Sequence, residues 1–230
     1  MTEKPTSRRT QAERTRLRKE QVIRAAIRFF GQHGFRGAKL ADIAKAAGVT
    51  EPGLLHHYPS KADLLMDVLA ERDRIDHERF NLTGGGRAGD LLASFQALVE
   101  YNQSVPGLVQ LFTVLVAESI DAQHPGHEFF MRRYRNVRQQ SLDAIREAQR
   151  RGEVRDDIPA QDLVVLVLAL MDGLQIQWLF EPDQVNMPRL FEHFTRLVKV
   201  PAKTAPETRT APKRGAKRLR LPGWHKNKAQ

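Results

Sequence analysis

The stretch from Phe35 to Leu65, FRGAKLADIAKAAGVTEPGLLHHYPSKADLL, restricts the possible folds more than any other part of this 230-residue chain. Leu40, Ile43, Ala44 and Ala47 recur at i, i+3, i+4 and i+7, which draws one apolar stripe along a short helix. Gly48 follows, where a helix end turns into left-handed backbone. Thr50 offers a hydroxyl to cap a second helix, Pro52 fits its first turn, and Leu54 and Tyr58 make its apolar face. Tyr58 precedes a proline and so leaves the helical region; Ser60, with Asp63 three residues on, then caps a third helix. Two short helices therefore meet across a tight glycine turn. Ala44 and Ala47 are small enough for a close crossing, and Glu51, Gly53, Leu55, His56 and His57 are left for the outer face of the second helix.

That spacing occurs in many all-helical proteins, but the outer face is not the usual solubilising mixture of Lys and Glu. The geometry matches the helix-turn-helix, whose second helix enters the major groove of duplex DNA. Before it, a helix is expected from about Arg16 to Gln32, with Val22, Ile23, Ala26, Ile27 and Phe30 inward. After it, KADLLMDVLAERDRIDHERF reads as one helix with Leu64, Leu65, Val68, Leu69 and Ile75 on its apolar face. NLTGGGR, residues 81–87, is a loop; it lacks the Gly-x-Gly-x-x-Gly or Gly-Lys-Ser/Thr spacing of a phosphate cradle. Further helices are expected at about 88–104, 107–122, 126–151, from 162 onward, and 187–200, with no run that alternates like a strand. The run DLVVLVLALMDGLQIQWLF is apolar nearly all round, so two of its sides must be covered, one by its own domain and one most simply by a second subunit. Val164, Leu168, Met171, Phe191 and Phe194 are expected to include the partner-facing residues.

Charge is concentrated at the ends. Of a net +10, residues 1–20 hold seven Lys/Arg against three acids and residues 200–230 hold nine against one, which leaves 21–199 at −2. Such arms bind nucleic acid through phosphate contacts or act only as solvated extensions; the composition of 201–230 predicts disorder. The absence of cysteine excludes disulfides, thiolate metal sites and thiol nucleophiles. No leader is expected from the first twenty residues, and Leu163–Met171, the longest strongly apolar run, is short for a bilayer span, so cytoplasmic residence without a membrane partner is expected. His124, His127 and Glu128 flank Pro125-Gly126 and read as a loop and helix start, not a metal site. No Gly-x-Ser-x-Gly elbow occurs, and neither an enzyme nor a cofactor is expected.

Phe30, Gly34-Phe35, Ile43-Ala44, Ala47-Gly48-Val49-Thr50 and Leu54-Leu55-His56-His57-Tyr58-Pro59-Ser60-Lys61 closely resemble the N-terminal pattern of the TetR-type transcriptional regulators over about residues 18–66. Two departures stand out: Lys39 takes the place of the usual threonine, and Leu55-His56 that of an aromatic pair. The resemblance implies an all-α protein with a three-helix helix-turn-helix head at 16–60 behind a basic arm at 1–15. A ligand-binding and dimerisation domain at 61–200 and a basic tail at 201–230 would follow. It further implies a homodimer on double-stranded DNA with a palindromic operator, most simply a repressor released by a small-molecule effector. Glu51, Pro52, Gly53 and Leu55 are then the candidates for base edges, and Lys39, Thr50, His56, His57 and Lys61 for phosphates, with Tyr58 beside them. Phe112, Leu115, Phe130, Met131, Tyr134 and Trp178 are candidates for an apolar effector lining. Two other classes fit parts of the sequence: an architectural DNA binder driven by its basic arms, and a helical small-molecule carrier or enzyme.

Overall fold

The computed structural model describes residues 11–80 and 88–200; the expectations for residues 1–10, the glycine loop 81–87 and the tail 201–230 lie outside them. Among the described residues nine helices follow one another: α1 Gln11–Gly37, α2 Leu40–Ala46, α3 Glu51–His57, α4 Lys61–Phe80, α5 Ala88–Ser104, α6 Pro106–Glu118, α7 His127–Arg150, α8 Ala160–Phe180 and α9 Met187–Val198. The β-pairing described is one isolated bridge, Val154 with Lys199. Helix α1 starts five residues before the expected Arg16, taking in the end of the expected basic arm, and continues past Gln32 through a kink at Gly34.

Two apolar cores organise the chain. The first joins Val22, Ala26 and Phe30 of α1 to Ile43, Leu54, Leu64 and Leu65 of the next three helices. It also takes in Leu111, Phe112 and Leu115 of α6 and Phe130 of α7. The head is thus roofed by the body rather than tethered to it. Each of these large side chains contributes roughly 1.5–3 kcal/mol on burial, so head and α6 separate only at considerable cost. The second core lies among α5, α7, α8 and α9, around Phe95, Ile145, Leu163, Val167, Trp178 and Phe191.

A polar clasp closes the seam between α1 and α6. Gly34 has φ +68, and a Cβ there would lie 2.1 Å from Glu118 Oε1, so both backbone and space demand glycine. The turn lets the Phe35 N–H donate to Glu118 Oε2 at 2.6 Å and Arg36 pair with Asp121 at 2.6 Å. His124, 4% exposed, stands edge-on to Phe35 at 5.1 Å. Its Nδ1 accepts the Gly126 N–H at 3.0 Å, and His127 Nδ1 lies 2.9 Å from the Ser119 carbonyl oxygen.

Helix α8 is longer than the apolar run read from the sequence. Its 21 residues suffice in length and hydropathy to cross a membrane. Leu163, Val164, Val167, Met171, Leu174 and Trp178, however, are buried in the second core, which marks it as a core helix. Val165, Leu166, Ile176 and Phe180 stay exposed, as do Leu190 and Leu197 on α9. Val164, Met171 and Phe191, expected among the partner-facing residues, are instead buried in their own subunit.

Candidate nucleic-acid interface and internal pocket

The head builds its outward face from local rules. Helix α2 buries Ile43 and Ala44, and Gly48 turns the chain at φ +70. Thr50 then caps α3, its hydroxyl accepting the Gly53 N–H at 3.2 Å. A Cβ at Gly53 would come within 3.0 Å of that hydroxyl, which gives this glycine a packing reason in addition to any contact with a ligand. Leu54 and Tyr58 turn inward, and Glu51, Pro52, Leu55, His56 and His57 are exposed, with Gly53 half-buried between them. His56 and His57 stand edge to face at 5.5 Å. Lys39 is exposed just before α2. A cleft of about 630 Å³ runs between α3 and the first half of α1, where Thr15, Arg18 and Lys19 face Thr50, Gly53 and His56. Thr15 and Arg18 escaped the sequence reading because their helix precedes the motif.

Two expected DNA contacts are placed differently. Tyr58 is 7% exposed, and its hydroxyl donates to Asp67 Oδ2 at 2.8 Å. It packs α3 against α4 at the floor of that cleft, and burial pushes its phenol well above the usual range. Lys61 donates from Nζ to the Ala38 carbonyl at 2.9 Å and the Arg36 carbonyl at 3.2 Å, with its charge 4.7 Å from the Phe35 ring centroid. Two of its three N–H donors are therefore spent on the carbonyls at the end of α1, which gives this half-buried lysine a structural role not read from the sequence.

Inside the body a small cavity of about 50 Å³ lies where α4, α5, α6, α7 and α8 meet. Its walls are more polar than the expected lining. Arg72 and Asp76, one turn apart on α4, are 5% and 2% exposed and pair at 3.2 Å. Arg133 on α7 pairs with Asp73 and lies 3.6 Å from Asp76. The Arg72 guanidinium covers the Phe112 ring at 4.0 Å. Across the cavity Tyr134 donates to Asp172 Oδ2 at 2.7 Å. Of the six expected lining residues, Phe112 and Tyr134 face the cavity. Leu115 and Phe130 are buried in the head core, Trp178 in the body core, and Met131 is 41% exposed.

Residues 22–68 match the family described as "Bacterial regulatory proteins, tetR family" and residues 89–199 the one described as "BetI-type transcriptional repressor, C-terminal". The chain is 30% identical over 195 residues to the HTH-type transcriptional regulator TtgR of Pseudomonas putida, spanning 78% of this chain and 88% of that protein. The chain belongs to the TetR family. The same fold is seen in a TetR-family regulator from Rhodococcus sp., 24% identical with a TM-score of 0.64 over 80% of this chain and all of that one. It is seen again in a regulator from Saccharomonospora viridis in complex with choline, 22% identical with a TM-score of 0.65 over 79% of this chain and 97% of that one. As a TetR-family transcriptional regulator, the chain carries its family pattern on α1 to α4, where the outward face of α3 and the cleft beside it are found.

Proposed function

We propose that this regulator binds a palindromic operator as a homodimer, most simply as a repressor, and leaves it when a small molecule occupies the cavity under α4. The observation that carries this reading is a shared element. Helix α4 sets Arg72 in the cavity wall and grips Arg133 of α7 through Asp73 and Asp76, while its first residue, Lys61, and Asp67 anchor the head through the Ala38 carbonyl and the Tyr58 hydroxyl. A ligand that parts α4 from α7 moves the head with it, and the free energy available is its preference for the parted arrangement.

Base edges would be read by Glu51, Pro52, Gly53 and Leu55, and phosphates held by Lys39, Thr50, His56 and His57 with Thr15 and Arg18 from α1. The exposed apolar stripe of α8, at Leu166, Ala169, Ile176 and Phe180 with the half-buried Gly173 between them, together with Leu190 and Leu197 of α9, supplies a face for the second subunit. The small residues at its middle allow close approach.

Competition between an operator selected from random duplexes and unselected DNA tests the head. Glu51→Ala and Leu55→Ala should reduce the preference for the operator while leaving non-specific affinity in place. Unchanged preference in both variants would show that the groove is read by another surface.

A further inference from the structure

We propose that the cavity under α4 takes a protonated organic amine, an ammonium group that keeps N–H donors and carries an apolar or aromatic body, with Asp172 and Gln175 as its two acceptors. The proposal rests on the regulatory reading above and names the effector class of that site.

Charge counting around the cavity leads to this ligand. Five ionic side chains are linked there: Arg72, Arg133 and Asp172 in the wall, with Asp73 and Asp76 behind it on the two guanidiniums. Arg72 pairs with Asp76, and Arg133 with Asp73 and Asp76; both guanidiniums also lie over Phe112, at 4.0 and 5.3 Å from the ring centroid. The carboxylate in excess is Asp172. Among the described residues it has no cation within ion-pair distance, and its hydrogen bond comes from the neutral Tyr134 hydroxyl at 2.7 Å. Burial raises its carboxyl above the usual range, against the pull of Tyr134, Arg133 and Arg72.

A second acceptor stands almost one turn along the same helix. Gln175 is 5% exposed, lines the cavity, and its Oε1 has no donor among the described residues. A buried carbonyl oxygen without a partner is uncommon because its desolvation is uncompensated. An ammonium with N–H donors serves both acceptors, one N–H to the carboxylate and another to the amide oxygen. A carboxylate or phosphate would face the excess charge of Asp172. An alcohol could serve one acceptor but would leave the charge unmet. A quaternary ammonium has no N–H for Gln175. Phe95, Leu98, Val137, Leu168 and Met171 provide the apolar remainder of the wall.

The cavity of about 50 Å³ holds little more than a water molecule or two, so the body of the amine must widen it. On the α4 side its wall is Arg72, and behind that wall the Arg133 pairs with Asp73 and Asp76 tie α7 to α4. Entry of the ligand is thereby coupled to the helix that holds the head.

Four probes that share one phenyl ring test the assignment by calorimetric titration of the full chain: benzylammonium, benzyltrimethylammonium, benzyl alcohol and benzoate. Benzylammonium should bind tightest, by about tenfold or more over the alcohol, and Asp172→Asn should abolish that advantage. Gln175→Leu should weaken benzylammonium several-fold and leave benzyltrimethylammonium unchanged. Benzoate or benzyl alcohol binding as tightly as benzylammonium would overturn the proposal, as would an indifferent Asp172→Asn or no benzylammonium binding by about 10 mM. Should Asp172→Asn not fold, the order of the four probes on the unaltered chain decides alone. Repeating the titration on the DNA complex separates the two levels. Binding of the amine with release of DNA supports both, and binding without release supports the amine site while refuting the regulatory reading.

Discussion

Lys61 illustrates how little a residue's type says about its work. It follows the Tyr-Pro-Ser phrase, where a cation beside DNA is expected, yet its ammonium sits on two carbonyl oxygens at the end of α1 and on the Phe35 ring. Lys61→Met should therefore act on stability. With Ala38 buried and its carbonyl left without a donor, the urea midpoint should fall by an amount worth about 1–3 kcal/mol, and the salt dependence of DNA binding should stay as it was. A salt slope reduced by about one with unchanged stability would return Lys61 to the phosphates. Gly34 offers a sharper case. Backbone at φ +68 and ψ 178 is almost confined to glycine and costs another residue on the order of 1–3 kcal/mol, and a Cβ would collide with Glu118, so Gly34→Ala should destabilise the chain by at least that amount in the same measurement. A neutral result would mean that the kink is dispensable.

At the scale of elements, the clasp between α1 and the end of α6 should respond to pH. His124 is held neutral because burial disfavours its charge, with a smaller opposing pull from Glu118. Its Nδ1 already accepts the Gly126 N–H, so a proton there would displace that bond. Its folded pKa lies below the usual 6.5, so the unfolded chain takes up the proton first. The stability from this contact is then complete above that value and is lost as pH falls through it toward the lowered folded value. Urea midpoints should drop more steeply below about pH 6.5 for the wild type than for His124→Asn. Parallel curves would show that the imidazole is not involved. Helix α8 makes a different point. Its apolar composition implied cover on two sides, of which the fold of one chain supplies one; a helix without a polar face gives no phase, and Val164 and Met171 fall on that covered side instead of the partner-facing one expected. Ile176→Glu, on the exposed stripe, should shift the sedimenting species to a monomer without loss of helix content. A dimer that survives this change would place the partner elsewhere.

Over the whole molecule, the order of helices was legible because 3.6-residue periodicity and the Gly, Pro and Thr punctuation are local signals. The two cores were not, since Leu111, Phe112 and Leu115 reach the head across more than forty residues of sequence. The cavity was read only in part. Arg72 and Asp76 lie in a run of charges, ERDRIDHER, that looks like a solvated face, and the available signal was the pair Asp172 and Gln175 interrupting an apolar stretch. What unites the parts is α4, joined to the head at one end and to the cavity at the other. If two such heads are held by the α8–α9 faces, their recognition helices must address DNA with two-fold symmetry. Selection of bound duplexes from random DNA by the full chain measures this most directly. The expected result is an inverted repeat whose half-sites are centred on one face of the duplex, roughly one helical turn of about 34 Å or a multiple of it apart. Enrichment of a single half-site, a direct repeat, or no sequence at all would contradict it.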